Sequence, residues 1–457
     1  FITGFVITKD YCLERIYMSY SKTFITNTIL TLSRQITSIL LGLLSTIIIA
    51  RVLGPEGNGM YQLIVLLPTT LNTLLNLGFG TSSVYYIGQK RYQLINIIRT
   101  NTITGFFISI TGILIGFIIV FFFSDKLFDG VPQIYLYSIL AILPLLLIND
   151  FYLMIFQGVQ DFKSYNSLAL IRQLVALISL TVFLFLFDIG IVGTVLAFSI
   201  GVISQFLITL YLLRNRLQLN IFKGKFSKEY FKNAFSFGFK AHFSNVLSFL
   251  NYRADMYIIS FFLNPAAVGL YGVAVNISER LWIISQSISS VLYPAISSSN
   301  NVDNKNRLTS TISRNVFFFS ILGGIVFFLI SDFVIRLLFG TEYHESSMIL
   351  KLLLPGIILF SVDRILSNDL AGRGKPELNM YTSIFTVISN LLLNILLIPA
   401  IGLSGAAIST SVTYTLSTII KMILFKRQTG LNYSKFIILQ KEDFLLYKEF
   451  LKKVRRK

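Results

Sequence analysis

The chain has 457 residues, of which 54% are hydrophobic and 13% charged, and its formal net charge at pH 7 is +18. Soluble domains carry about 25% charged residues, so this composition excludes a soluble globular protein. The single cysteine, Cys12, excludes an internal disulfide. Two histidines, His242 and His344, are too few and too far apart in sequence to suggest a metal cluster.

Twelve apolar runs are long enough to cross a bilayer core of about 30 Å as helices of roughly 20 residues. A segment at 1–23 precedes them. Its first 17 residues are interpreted as a flank, because Met18 begins a normal-looking start, and no cleavable signal peptide is found. Runs of this length do not alternate as barrel strands would, so the sequence predicts an all-α integral membrane protein. The spans are about 24–49, 61–87, 102–123, 134–156, 167–187, 190–213, 236–262, 268–293, 311–338, 346–368, 379–399 and 402–425.

The distribution of lysine and arginine orients these spans. Of the 39 Lys and Arg residues, 28 fall on one side of the membrane and 4 on the opposite side. The count of 28 includes Arg314, which lies at the edge of the ninth span. The positive-inside rule therefore places both termini in the cytoplasm, with the protein in the cytoplasmic (inner) membrane. Topology accounts for most of the net charge, so no nucleic-acid partner is expected. A basic cytoplasmic linker, 214–235, and a basic amphipathic tail, 428–457, are expected to lie on anionic headgroups.

An internal duplication is visible in the sequence. LGPEGNGMY at 53–61 and LNPAAVGLY at 263–271 share the pattern L-x-P-x-x-x-G-x-Y. The turns IGIVGTV at 189–195 and IGLSGAA at 401–407 lie at nearly the same offset. Three such matches in the same order, the third being the pair Pro144 and Pro355, indicate two related halves, as in many transporters.

Six spans separate each motif from its copy, so the halves have the same orientation in the membrane. The sequence thus predicts an N-terminal six-helix bundle at 24–213 and a C-terminal one at 236–427, related by a pseudo-two-fold axis along the membrane normal. A central cleft between them would let a substrate pass. The prolines that interrupt or end spans, either as static kinks or as hinges, are Pro68, Pro144, Pro355 and Pro399.

Ionisable residues inside spans are costly and are therefore functional candidates. Snorkelling toward headgroups is the alternative interpretation for the shallow ones. Asp150, beside Asn149, could equally be a local hydrogen-bonding group. The other shallow candidates are Arg172, Lys240, Asp363, Arg364 and Lys421.

The deeper candidates are Arg34 in the first span, Arg253 and Asp255 in the seventh, and Glu279 and Arg280 in the eighth. The seventh and eighth spans form a hairpin at Pro265, which brings Arg253 and Glu279 to similar depth. These two residues either form an ion pair that pins the helices or line a charged wall of the cleft.

Cations outnumber acids within the spans, which suits an anionic cargo such as a phosphate or pyrophosphate bound by arginine. No nucleotide phosphate loop, G-x-S-x-G or H-E-x-x-H motif is present, and no long outer loop offers room for chemistry. A non-enzymatic protein without a resident cofactor or metal is therefore expected. The acids that could couple transport to a proton or a sodium ion are Asp255, Glu279, Asp363 and Asp150.

Several motifs resemble one known family. Residues 50–55 read ARVLGP and are followed by Gly59, Tyr61 and the pair Leu77-Gly78. Together with 253–281 and the turn 397–412, they resemble the polysaccharide-transporter branch of the multidrug/oligosaccharidyl-lipid/polysaccharide exporter superfamily. The resemblance covers roughly 20–430.

This resemblance implies an O-antigen, capsule or exopolysaccharide flippase that moves an oligosaccharide on polyprenyl pyrophosphate to the outer leaflet by alternating access. It also implies a positively charged central cavity. Arg34, Arg253 and Arg280 match that cavity by location, with Arg172 and Arg364 as further substrate-binding candidates. The implied partners are the lipid-linked oligosaccharide, membrane lipids, a polysaccharide polymerase and glycosyltransferases. Twelve spans rather than fourteen argue against the lipid II flippase branch.

Two alternatives remain open. A drug or cation antiporter of the same fold predicts export of cationic drugs and a dominant role for Asp255 or Glu279. A non-transporting membrane scaffold for polysaccharide assembly predicts that deletion of 428–457 abolishes function while the cleft arginines tolerate alanine.

Overall fold

The computed structural model describes residues 3–220, 223–298 and 301–444, and side chains at Leu30 and from Ser33 onward except at 240–241, 284, 290–291, 294 and 298. Regular structure within these ranges is entirely helical. The helices are α1 (Thr3–Leu75), α2 (Phe79–Gly88), α3 (Leu94–Leu127), α4 (Gln133–Leu140), α5 (Leu143–Gly158), α6 (Phe162–Phe185), α7 (Gly190–Asn215), α8 (Lys228–Phe262), α9 (Pro265–Ser278), α10 (Trp282–Ser298), α11 (Val302–Phe339), α12 (His344–Gly372), α13 (Pro376–Ile401), α14 (Leu403–Thr429) and α15 (Ser434–Ile437).

Two glycines break the helices in the region of the first two predicted spans, Gly54 between the spans and Gly78 within the second. Gly54 has φ 66° and ψ −174° and divides α1 into two helices. Proline at the next position, Pro55, suits the first turn of the helix that follows, because its missing N–H would have no partner there. Gly78, with φ 75°, separates α1 from α2. Both φ values fall in the region that only glycine adopts readily, so the sequence itself specifies these breaks.

Three predicted spans are discontinuous. The second breaks at Gly78, the fourth breaks between α4 and α5 just before Pro144, and the eighth contains a 3-10 turn at Glu279–Leu281. Pro355 and Pro399, in contrast, lie inside continuous helices. Pro355 lies in the interior of α12 and Pro399 in the last turn of α13, so neither proline divides its helix into two.

Eight helical segments in the described part of the chain are long and apolar enough to cross a membrane. They are Ser33–Leu75, Leu94–Leu127, Gln133–Gly158, Phe162–Phe185, Gly190–Asn215, Val302–Phe339, Pro376–Ile401 and Leu403–Thr429. The chain is thus a helical membrane protein, and the count of twelve spans stays a prediction.

The described helices form two compact units. The first comprises Phe1–Ile48, Leu67–Phe117 and Tyr137–His242. Its core includes Tyr230, whose hydroxyl lies 3.0 Å from Ser83 Oγ and donates to Asn101 Oδ1 at 3.1 Å. Burial raises the pKa of the Tyr230 hydroxyl to about 12. The end of the expected linker, from Lys228 onward, is therefore part of α8 and packs against α2.

The second unit comprises Ile49–Leu66, Ile118–Leu136 and Phe243–Lys457. Within it, Phe436 is buried against α12 and α14, and Arg314 on α11 makes a buried bidentate ion pair with Asp443. The described start of the expected surface tail is thus packed against the helices. The rest of that tail, 445–457, lies outside the described residues, as do residues 1–2 of the expected N-terminal segment.

Candidate functional site

A polar cavity of about 230 Å³ lies within the second unit. Its walls come from α8, α12, α13 and α14, in the halves that the predicted topology places on the cytoplasmic side. Hydroxyl and amide side chains dominate the lining, together with one acid and two cations. The lining residues are Ser244, Ser248, Asn251, Tyr252, Phe360, Asp363, Arg364, Ser367, Asn368, Asn379, Met380, Ser383, Thr386, Ser417 and Lys421.

Arg364 is held in this cavity by aromatic rings. Its guanidinium carbon lies 4.4 Å from the ring centroid of Trp282, and Nη2 donates to the Tyr252 hydroxyl at 3.2 Å. Its Nε is buried without a hydrogen-bond partner. Among the described residues, Arg364 has no carboxylate within ion-pair distance, so its charge is available to an anion in the cavity.

Asp363 and Lys421 form a buried ion pair beside Arg364. Lys421 Nζ lies 2.7 Å from Asp363 Oδ2, and the two side chains are only 7% and 2% exposed. Ser417 Oγ donates to Asp363 Oδ1 at 2.6 Å, and Lys421 also donates to Ser367 Oγ. Snorkelling is therefore the wrong interpretation for Lys421. Its ammonium group neutralises Asp363, and Arg364 is the remaining cation of the cavity.

Arg253 and Glu279 form the ion pair that the hairpin geometry allowed. Arg253 Nη1 and Nη2 lie 3.2 and 3.4 Å from the two Glu279 oxygens. Glu279 opens the 3-10 turn between α9 and α10, where the helix break orients its side chain toward α8. Pairing of these two residues is thus confirmed, and it leaves Arg253 largely compensated.

Asp255 lies in a separate buried network in the same unit. It accepts hydrogen bonds from the Tyr271 hydroxyl and, at 2.9 Å, from the Met256 N–H. The Tyr271 hydroxyl also contacts Thr410 Oγ1 at 3.1 Å. Tyr271 ends the second copy of the repeat motif, so the motif supplies the partner of a candidate acid.

Arg280 has few contacts within the described structure. It bonds Asn276 Oδ1 at 3.5 Å, and its Nε is buried without a partner. It does not line the polar cavity.

Four sequence candidates lie in the first unit, and the side chain of one of them, Lys240, lies outside the described residues. Arg34 packs over the Tyr165 ring at 5.6 Å, and its Nε is buried without a hydrogen-bond partner. Arg172 packs over the Phe198 ring at 5.4 Å. Asp150 accepts a hydrogen bond from Asn72 Nδ2 at 2.7 Å, so it is a hydrogen-bonding group whose partner lies on another helix and not at the neighbouring Asn149.

Sequence reasoning missed the aromatic residues around Arg364 and the serines around Asp363. Trp282 is the single tryptophan of the chain, and its indole N–H donates to the Ile357 carbonyl at 2.9 Å. The unique tryptophan was a usable signal. The serines Ser367 and Ser417 gave no signal, because only packing of α12 against α14 brings them to the acid.

Comparison with known protein families shows which family the chain belongs to. Residues 24–300 match the family described as polysaccharide biosynthesis protein, which is well over half of the chain. The chain belongs to this family. Residues 241–396 also match the MatE family.

Curated relatives agree with this assignment. A Haloferax volcanii protein named as a low-salt glycan biosynthesis flippase is 30% identical over 199 residues, which span 42% of each protein. A Shigella flexneri protein named as an O-antigen transporter is 24% identical over 83% of this chain and 92% of its own length. The match thus spans less than half of the Haloferax protein and nearly all of the Shigella protein.

Solved structures show the same fold. The inward closed conformation of the lipid II flippase MurJ superimposes with a TM-score of 0.72 at 18% identity, covering 88% of this chain and 87% of that one. An inward-facing multidrug resistance MATE family transporter gives 0.74 at 16% identity, covering 88% and 98%. The family member described here is therefore a membrane protein with a MATE-like transporter fold.

Proposed function

We propose that this protein is a flippase that moves polyprenyl-pyrophosphate-linked oligosaccharide across the cytoplasmic membrane by alternating access, for surface polysaccharide assembly. Family membership and relatives named as a glycan flippase and an O-antigen transporter support this assignment. The lipid tail would stay in the bilayer while the charged, sugar-bearing head passes through the protein.

The observation that carries the proposal is the state of Arg364. A guanidinium without a carboxylate partner in the described structure lies in a polar cavity, stacked on Trp282 and bonded to Tyr252. The contact with Trp282 and the bond to Tyr252 restrict the guanidinium, so its free N–H groups are preorganised for a phosphate oxygen. The surrounding hydroxyls and amides are the donors and acceptors that a sugar requires.

Other arginine candidates have different roles in this proposal. The charge of Arg253 is compensated by Glu279, and this ion pair mainly stabilises the packing of the two helices. Arg34, Arg172 and Arg280 remain proposed contacts for the head group at other stages of transport. Coupling to a proton would involve Asp255, Glu279, Asp363 or Asp150, and coupling to a sodium ion would involve Asp255, Glu279 or Asp150.

The proposed architecture has twelve spans in two six-helix bundles, with both termini in the cytoplasm. A basic linker joins the bundles, and the tail lies on the cytoplasmic face. Partners would include the lipid-linked oligosaccharide, membrane lipids, a polysaccharide polymerase and glycosyltransferases. These finer assignments rest on the duplication and on the lysine and arginine distribution.

Replacement of Arg364 tests the proposal in cells that lack their own flippase. Arg364→Ala should lower surface polysaccharide roughly tenfold or more, because one charge-assisted contact contributes about 1.5–3 kcal/mol. Lipid-linked sugar should accumulate in the inner leaflet. Arg364→Lys should restore only part of the activity, since it keeps the charge and loses the planar fork.

Arg427→Ala is the matched control. Arg427 is exposed in the last turn of α14, so its removal changes the net charge equally without altering the cavity. Normal surface polysaccharide in a well-expressed Arg364→Ala variant would refute the proposed role of Arg364.

A drug or cation antiporter is the second candidate, favoured by the MatE match over 241–396. It predicts that Asp255→Asn or Glu279→Gln abolishes resistance to cationic drugs. The pairing of Asp363 with Lys421 disfavours this candidate, because it removes an acid of the cavity from contact with a cationic substrate. Unchanged drug resistance on expression of the wild type would eliminate it.

A further inference from the structure

Asp363 and Lys421 belong to a cluster of four side chains contributed by two helices. Asp363 and Ser367 are one turn apart on α12, and Ser417 and Lys421 are one turn apart on α14. Because residues at i and i+4 share a helix face, each helix presents one charged group and one hydroxyl to the other. Four groups therefore meet at one buried point on the cavity wall.

Three of these four groups offer hard oxygen ligands. Asp363 contributes both carboxylate oxygens, while Ser367 and Ser417 contribute hydroxyls. Asn379 lines the same cavity, donates to the Ser367 carbonyl at 2.8 Å and has a buried side-chain oxygen without a hydrogen-bond partner. Carboxylate, hydroxyl and amide oxygens are the donors that hard metal cations take in proteins.

Lys421 supplies the cation of this oxygen cluster from within the chain. Its Nζ lies 2.7 Å from Asp363 Oδ2 and 2.6 Å from Ser367 Oγ. One ammonium balances one carboxylate, so the cluster is neutral as it stands. A metal cation added to it would place an uncompensated positive charge in a buried position, which costs several kcal/mol.

We propose that Lys421 is a tethered cation that fills a sodium-type site at Asp363, so that this site binds no sodium in the native protein. Asp363 is thereby excluded as a sodium-coupling residue. Replacement of Lys421 by a small side chain would convert the cluster into a site for a free monovalent metal cation. The inference concerns cation binding and does not depend on the identity of the transported substrate.

Thermal unfolding of the purified full chain in detergent tests this proposal. The Tm is compared in sodium, potassium and choline chloride at equal ionic strength. Wild-type protein should show the same Tm in sodium and choline. Lys421→Ala should be less stable than wild type in choline, because it leaves a buried carboxylate unpaired. It should gain several degrees in sodium, because a ligand that binds only the folded state stabilises it.

Two further variants make the result specific. Lys421→Ala combined with Asp363→Asn should lose the sodium response, and Lys426→Ala, on the same helix and outside the cluster, should behave as wild type. Lys421→Ser replaces the ammonium by a hydroxyl and serves as a second variant if Lys421→Ala does not fold.

Two outcomes would overturn the proposal. One is a sodium-specific rise in the wild-type Tm that Asp363→Asn removes. The other is the absence of any sodium response in folded Lys421→Ala or Lys421→Ser protein.

Discussion

At the level of single residues, three buried or half-buried cations of the second unit differ in what neutralises them. Arg253 is paired with Glu279, and Lys421 with Asp363, whereas Arg364 is bounded by aromatic rings. A paired cation presents little net charge to a ligand, while an unpaired one attracts anions. The three residues therefore separate into two that stabilise helix packing and one that is suited to bind cargo.

If Arg253 and Glu279 mainly stabilise helix packing, the loss of one of them should lower the stability of the protein. Glu279→Gln alone should destabilise the protein by about 1–3 kcal/mol, because it leaves a partly buried guanidinium uncompensated. The double variant Arg253→Met with Glu279→Met should recover most of that stability. Urea or thermal unfolding in detergent measures both effects.

The exposed ion pair of Arg91 and Glu229 is the control for these variants. Its side chains are 52% and 67% exposed, so Glu229→Gln should change stability by less than about 1 kcal/mol. If the double variant at 253 and 279 is as unstable as Glu279→Gln, the pinning role of the pair is wrong.

The sequence alone indicated one of these two ion pairs. The hairpin at Pro265 placed Arg253 and Glu279 at similar depth, and the ion pair that this allowed is present. The partner of Lys421 could not be found in this way. Asp363 lies on a helix that is not adjacent in the chain, so only tertiary packing determines whether the lysine snorkels or pairs.

At the level of elements, the two repeat motifs pack against each other inside the second unit. A Cβ added to Gly59 would lie 1.7 Å from the Pro265 carbonyl oxygen, and one added to Gly269 would lie 2.1 Å from the Pro55 carbonyl oxygen. Each motif thus supplies the glycine that admits the backbone of the other. The duplication was visible in the sequence, but the direct contact of its two copies was not.

Gly59→Ala should therefore lower stability by about 1–3 kcal/mol, since backbone has to move to admit the methyl group. Gly42→Ala is the control, because nothing lies within 4 Å of a Cβ added there and helix propensity favours alanine by about 0.8–1.0 kcal/mol. Thermal unfolding and the yield of folded protein measure the difference. Equal Tm values for the two variants would show that the contact of the motifs tolerates a side chain.

We expect the docked segment 430–444 to respond to pH through Asp443. Burial by itself raises the pKa of this carboxyl, but hydrogen bonds from Arg314, the Gln440 N–H and Asn315 outweigh burial and hold the pKa below its ordinary value. A carboxyl whose pKa is lower in the folded state stabilises that state above its ordinary pKa and loses the effect as pH falls through the folded value.

Docking should therefore persist from neutral pH to about pH 4 and weaken below it. Hydrogen exchange of 430–444, corrected for intrinsic rates, measures this dependence. Asp443→Asn should expose the segment already at neutral pH, whereas Glu442→Gln, at an exposed position, should not. Protection that is unchanged in Asp443→Asn would contradict the proposed role of the ion pair.

At the level of the whole molecule, composition and the length of the apolar runs were enough to predict an all-helical membrane protein, while the transporter family was implied by the resemblance of motifs such as 50–55. The breaks at Gly78 and Glu279–Leu281 were not predicted, because a short interruption of an apolar run leaves its hydropathy unchanged. The polar cavity also could not be predicted from the sequence. Its lining comes from four helices whose serines and asparagines carry no signal individually.

Transport in liposomes tests the central claim most directly. Purified protein is reconstituted with a labelled polyprenyl-pyrophosphate-linked oligosaccharide, and the fraction that reaches the opposite leaflet is followed with a membrane-impermeant quencher. Wild type and Arg427→Ala should move the lipid-linked sugar well above protein-free vesicles, and Arg364→Ala should be slower by roughly tenfold or more. Transport no faster than in protein-free vesicles, or an equal rate for Arg364→Ala, would contradict this account.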